Sequence, residues 1–221
     1  SRQQGSDFAK RLANDFNPLH DEDAKRFVVP GDLLFSLTLQ KMGISAQMRF
    51  DFVGMVSADS EFSITQEDPN QLNITSGDKT CTKIQRSGAV LTDAALIEAI
   101  SLEYVKFSGK TFPAILLPLM QQQDVMINPA RPMVMYQSMV IELNEMAFNN
   151  PTIELAKQEI NVDGKRGDVS IHFNIMANGK VVGCGEKNFL LSGLRAYEAD
   201  AMDALVKGYE ATKDAYLTGQ K

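Results

Sequence analysis

NDFNPLHDEDAKRFVVPGDLLFSL runs from Asn14 to Leu37. It places two chain breakers, Pro18 and the Pro30-Gly31 pair, on either side of His20, one of the chain's two histidines, and then enters a very apolar stretch. Pro18 cannot continue a helix and pushes Asn17 toward extended backbone. Pro30-Gly31 breaks the chain again, and Asp32 stands where a side chain can cap the next helix. That helix is predicted to run to Gly43, a residue suited to a C-terminal stop. Leu33, Leu34, Phe35, Leu37, Leu39 and Met42 point almost all round it. Such a helix must be wrapped by something, and a curved sheet is the natural wrapper.

Upstream, Ser6 to Asn14 reads as a short helix capped by Ser6, with Phe8, Ala9 and Leu12 as its apolar stripe. Asp21-Glu22-Asp23-Ala24 starts a second turn, with acids where a helix N-terminus favours them. Downstream, Met48, Phe50 and Phe52 alternate with Gln47, Arg49 and Asp51, the period of a strand. Phe62 and Ile64, Leu72 and Ile74, then Val90 and Leu91 mark further strands up to about Asp93. A second helical region spans Ala94 to Asp124, interrupted at Gly109 and Pro113, with an apolar core from Ala114 to Met120. Strands resume near Met133. The clearest hairpin covers Asp168 to Leu191, with Val169, Ile171, Phe173 and Ile175 on one face and a type I′ turn at Asn178-Gly179. From Arg195 onward the pattern is an amphipathic helix carrying Ala201, Leu205 and Tyr209.

Helix-then-sheet therefore occurs twice, first with the apolar helix at 32–43 and again with the one at 113–122. A buried helix wrapped by an antiparallel sheet, present twice, describes an α+β double hotdog. The expected division is 1–93 for the first repeat, 94–193 for the second and 194–221 for the C-terminal helix.

The 221 residues suffice for a sizeable core. A formal charge of −6 argues against non-specific nucleic-acid binding, because no Lys/Arg cluster offsets the acid. The same acidity repels an anionic ligand such as a coenzyme A ester unless a local basic rim exists. No apolar run reaches the roughly 18–20 residues of a membrane span. Cys81 and Cys184 lie far apart and sit in strand-like segments, so they read as small buried hydrophobes in a reducing cytoplasm.

Asp15-Phe16-Asn17-Pro18-Leu19-His20, followed by Val28-Val29-Pro30-Gly31-Asp32, resembles the MaoC-like, (R)-specific enoyl-CoA hydratases of the hotdog superfamily. The resemblance covers about residues 8–37. It implies a lyase of fatty acid metabolism that hydrates a 2-enoyl thioester, or dehydrates the 3-hydroxyacyl form, carried on coenzyme A or acyl carrier protein. Asp15 and His20 would be catalytic and activate the water, with Asn17 and Pro18 stiffening the loop so that the two converge. The backbone N–H of Gly31, at a helix N-terminus, would stabilise the enolate-like oxygen. No cofactor or metal is implied, the partner is the acyl thioester itself, and a homodimer is compatible with exposed sheet edges. Pro30 stands where the family has His, the loop from His20 to Pro30 is shorter, and Asp32 puts a carboxylate beside the oxyanion position.

Several residues carry bland readings. Asp15 and Asn17 alone are turn residues. His172 shares the polar side of its strand with Asp168, Ser170 and Asn174. Asp21-Glu22-Asp23 has no histidine or cysteine at ligand spacing and reads as a solvated helix start. Gly183-Cys184-Gly185 reads as a bulge, and Met133, Met135, Met139 and Tyr136 as a lining of core or of an acyl tunnel, with core the better fit. Two other functions stay open: an acyl-thioester-binding hotdog without chemistry, motivated by Pro30, Asp32 and the short loop, and a hotdog thioesterase with its acid on the central helix or the facing strand.

Overall fold

The computed structural model describes residues 1–57 and 60–219. Pro30 opens helix α2 (Gly31–Met42), and Gly43 closes it with φ at +75°, a conformation that a side chain would strain. No side chain among the described residues caps α2, so Asp32 does not have the capping role expected of it. It lies in the first turn, with its carboxylate hydrogen-bonded elsewhere. The first helix also starts earlier than its pattern indicates. Helix α1 (Arg2–Asp7) is capped by Ser1 and continues as a π-helical segment, Phe8–Ala13. Ser6 is buried and donates to Glu22.

One antiparallel sheet carries the fold. Strands β1 (Ile44–Phe52), β2 (Ser63–Asp68), β3 (Gln71–Ser76) and β4 (Lys79–Leu91) follow α2. After helix α3 (Ala94–Ser108), a π-helical turn (Thr111–Ile115), helix α4 (Leu116–Gln122) and the short β5 (Val125–Met126) come four more strands. These are β6 (Val134–Leu143), β7 (Thr152–Asp163), β8 (Arg166–Ala177) and β9 (Lys180–Ser192). Their spatial order is β2-β3-β4-β1-β6-β9-β8-β7. In each half the first strand pairs with the last, and β1 pairs with β6 at the centre, Met48 opposite Ile141. The sheet is therefore two like-connected halves joined edge to edge, and the chain is an α+β hotdog with a C-terminal helix, α5 (Ala199–Leu217). A two-residue strand, β10 (Arg195–Ala196), pairs with β5.

The helix lying beside α2 is α3, not the 113–122 segment. Asp93 caps α3, accepting the Leu96 N–H at 2.8 Å. Its buried face includes Ile97, Ile100, Tyr104 and Phe107. Tyr104 packs 4.6 Å from Phe35 of α2, and Phe107 packs 5.3 Å from Phe173 of β8. The 113–122 stretch is apolar enough to be buried at Leu116, Leu119 and Met120, but its two prolines leave only a short helix.

On the sheet's inner face β8 buries Val169, Ile171, Phe173 and Ile175, and the turn residues Asn178 and Gly179 both have positive φ, as a type I′ hairpin requires. Gly183 and Gly185 pair in register with Ile175 and Phe173, and the irregularity falls next to them, where Met176 pairs with Val181. At Gly185 a Cβ would lie 2.2 Å from Phe173 Cζ, so the glycine makes room for that ring. Cys81 is buried as expected, whereas Cys184 is only half-buried, and both are free thiols. Met139 is core, but Met133 and Met135 are exposed.

Candidate active site

Asn17 folds the opening loop. Its side chain accepts the Leu19 N–H at 3.0 Å and starts a 3₁₀ turn, Pro18–His20, with Pro18 at the first position, where its fixed φ suits a helical turn. Asp15 accepts the Asn17 N–H at 3.0 Å, which fixes its carboxylate against the same turn. His20 Nδ1 lies 2.8 Å from the Val28 carbonyl oxygen. A carbonyl can only accept, so Nδ1 carries the proton, and in the neutral ring Nε2 is left as the basic nitrogen. Asp15 and His20 are both half-buried.

Burial pushes the Asp15 carboxyl above the ordinary carboxylate range. Nearby His20 and the Asn17 N–H pull it down, Asp32 pushes it up and Lys187 pulls it down. Asp15 therefore senses four other groups, two of them at the start of α2 and on β9. The Gly31 amide has no acceptor among the described residues, as expected for the first turn of a helix. Gly31 is closely packed: a Cβ would lie 3.0 Å from Tyr136 and 3.2 Å from Phe52, so those rings would have to give by a few tenths of an ångström. Pro30 is buried at the cap position before it.

Beneath this loop lies a polar cluster supplied mainly by the second half. Ser108, the last residue of α3, donates to Asp32 Oδ2 and accepts from the Lys187 ammonium. Lys187 Nζ is 3.9 Å from Asp32 Oδ1, and its side chain is 1% exposed. The rings of Tyr136, Phe189 and Tyr104 surround Nζ at 4.8, 5.1 and 5.4 Å, a cation–π box. Burial lowers the Lys187 pKa, and the charges of Asp32 and Asp15 oppose that shift. The Tyr104 and Tyr136 hydroxyls hydrogen-bond each other, and burial, reinforced by Asp32, drives both pKa values well up. Asp32 Oδ1 is buried with no hydrogen-bond partner among the described residues.

The last helix closes the cluster from outside. Tyr209 of α5 accepts the Phe16 N–H at 3.1 Å, and its ring meets Phe112 at 5.3 Å. Burial first, then the Asp15 charge, lifts the Tyr209 pKa well above its ordinary value, so the hydroxyl stays protonated beside Asp15.

Asp15, His20, Asn17, Pro18 and Gly31 thus share one loop and helix start, while Lys187, Ser108, Tyr104, Tyr136 and Tyr209 went unrecognised in the sequence. Lys187 had a readable signal: it occupies an inward position on β9, in line with Gly185, Phe189 and Leu191. Ser108 and the tyrosines had none. Asp21 and Glu22 are not a solvated helix start, because they hold the buried Lys10 ammonium at 3.0 and 2.8 Å. His172 faces outward, 3.9 Å from Glu159 and 4.0 Å from Glu186.

Among solved structures the chain is similar to the acyl-CoA thioesterase II TesB2 of Mycobacterium marinum, with 8% identity, TM-score 0.45 and coverage of 79% of this chain and 92% of that one. The TesB protein of Mycobacterium avium subspecies paratuberculosis gives 8% identity and TM-score 0.43, covering 76% and 89%. A monomeric dehydratase domain from a trans-AT polyketide synthase split module gives 10% identity and TM-score 0.41, covering 76% and 90%. No relative is found among curated protein sequences. No helix among the described residues is long and apolar enough to cross a membrane. The family model described as a protein of unknown function, DUF3581, matches residues 1–200, a span that holds Asp15, His20, Asp32, Ser108 and Lys187, and the chain belongs to that family.

Proposed function

We propose that the protein adds or removes water across the double bond beside an acyl thioester carbonyl, as an (R)-specific, MaoC-like hydratase or dehydratase acting on a coenzyme A or acyl carrier protein thioester. In the dehydration direction, His20 Nε2 takes the proton from the α-carbon. Protonated Asp15 gives its proton to the departing β-hydroxyl, which leaves as water. The electron pair from the broken C–H bond passes through the enolate oxygen, which the Gly31 N–H and the positive end of α2 stabilise. Hydration runs the same steps backwards, with Asp15 and His20 handling the water.

The observation that carries this reading is the Asp15–His20 pair, set against the start of α2. Desolvation raises the Asp15 carboxyl toward the range where it can carry a proton, and His20 keeps a basic nitrogen. The test is turnover of trans-2-enoyl-CoA thioesters, followed by loss of enoyl absorbance. Asp15→Asn and His20→Gln should each lower kcat by about 10² to 10⁴. Stabilisation by an acyl thioester with no product would replace this reading with binding alone.

Thioester hydrolysis is a second reading, favoured by one observation. Asp32 has one oxygen fixed by Ser108 and the other, 3.9 Å from Lys187 Nζ, without a hydrogen bond among the described residues, an arrangement suited to polarising a water. Release of free coenzyme A thiol, abolished by Asp32→Asn and not by Asp15→Asn, would establish it.

A further inference from the structure

The first turn of α2 and strand β9 bring two opposite charges, Asp32 and Lys187, together within electrostatic reach of Asp15. Lys187 is 1% exposed, yet its ammonium has one hydrogen bond, to Ser108, among the described residues. An ammonium has three donors. Asp32 Oδ1, 3.9 Å away, is a buried acceptor without a hydrogen bond among the described residues. The Tyr104 hydroxyl, engaged with Tyr136, stands close enough to Asp32 to feel it. Buried polar groups in folded proteins are nearly always paired, so unused donors and an unused acceptor side by side call for a partner. That partner must accept from the ammonium and donate to the carboxylate. An alkyl chain does neither, and would further desolvate an ion pair already out of water. A carboxylate would meet Lys187 but be repelled by Asp32. A hydroxyl group does both jobs and leaves the charge balance unchanged.

Resting on the hydratase reading, we infer that the acyl group taken by this site carries a hydroxyl substituent beyond the reacting carbons, bound between Asp32 Oδ1 and Lys187 Nζ. Asp32 follows Gly31 directly in α2, and Asp15 interacts electrostatically with both Asp32 and Lys187. Asp15 and His20 are half-buried, whereas the Lys187 side chain is 1% exposed.

The experiment compares trans-2-hexenoyl-CoA with its 4-, 5- and 6-hydroxy derivatives as substrates of the full chain. In parallel, the unreactive hexanoyl-CoA and its 6-hydroxy form are compared by thermal shift. The expected result is a kcat/KM at least about tenfold higher for one hydroxylated isomer, because a site built to bond a hydroxyl rejects its deoxy analogue. Asp32→Leu combined with Lys187→Met should then reverse the preference toward the alkyl chain, and Ser108→Ala should weaken it without removing the pair. Turnover of the alkyl substrate with no hydroxyl preference overturns this inference and leaves the hydratase reading standing. A hydroxyl preference in the thermal shift with no turnover of any isomer does the reverse. If the double variant folds and keeps the wild-type preference, the pair is structural and the inference falls.

Discussion

Gly109 packs directly on the Ala13 carbonyl: a Cβ added to the glycine would lie 1.6 Å from that oxygen. The residue after Ser108 thus touches the backbone two residues before Asp15, with no side chain between. Gly109→Ala must push the two segments apart, at a cost of about 3 kcal/mol. Denaturant unfolding should show that loss as a lower midpoint, and turnover should fall as well, because Asp15 shifts relative to Ser108. A midpoint unchanged from that of the natural protein would mean that the contact yields freely.

Tyr209 supplies the other brace on this loop, through the Phe16 N–H. Tyr209→Phe keeps the ring contacts with Phe16 and Phe112 and removes one hydrogen bond, so it should cost about 1 kcal/mol. If the bond holds Asp15 in place, turnover drops by more than that small stability loss accounts for. Parallel measurement of the unfolding midpoint and kcat separates the two effects.

Asp15 gives stability a pH signature. Its carboxyl binds a proton more tightly in the folded state than in the unfolded chain. The folded state therefore holds more protons in that window, and stability falls as pH rises from about 4, the ordinary carboxylate value, through the raised value. Asp15→Asn removes this slope and should be the more stable protein on the high-pH side, despite losing activity. Equilibrium unfolding between about pH 4 and pH 7 reads it directly. An unchanged slope in the variant would assign the effect to another group.

Glu22 behaves in the opposite sense. Hydrogen bonds from Lys10 and Ser6 hold its carboxyl down at about 2. The stability this contributes is fully present above the ordinary glutamate value of about 4.3 and is lost as pH falls toward about 2. Glu22→Gln should be less stable at neutral pH and lose less on acidification. An acid titration of the unfolding midpoint, run on both proteins, tests the sign.

Removing Lys187 alone leaves Asp32 buried and uncompensated, so Lys187→Met should cost about 3–5 kcal/mol. Adding Asp32→Leu should recover most of that loss, because an apolar pair of similar volume replaces a buried ion pair at little cost. A double-mutant cycle on the unfolding free energy measures the coupling. Simple additivity would mean that the two charges do not sense each other.

Much of the architecture was legible in local pattern. Gly43 ends α2 because only a residue without a Cβ adopts its backbone angle easily, and Asn178-Gly179 makes its turn for the same reason. The alternation from Val169 to Ile175 could only be a strand with one buried face. The second central helix was misplaced because the 113–122 stretch is more continuously apolar than α3. Apolarity measures burial, whereas Pro113 and Pro118 limit length, and helix length decided which segment could lie along α2. Asp32 was misread for a related reason: at a helix start, capping is the local default, and what drew its carboxylate away lies 76 and 155 residues further along the chain.

The sequence by itself determined the breaks, the helix ends, the strand faces and the loop that carries Asp15 and His20, because each depends on backbone preferences within a few residues. Only the tertiary structure decided that Lys187, Ser108, Tyr104, Tyr136 and Tyr209 converge beneath and beside that loop. Their meeting depends on β1 pairing with β6 and on α3 lying against α2. Those contacts join residues distant in sequence, and what they do to a buried charge shows only once water has been excluded.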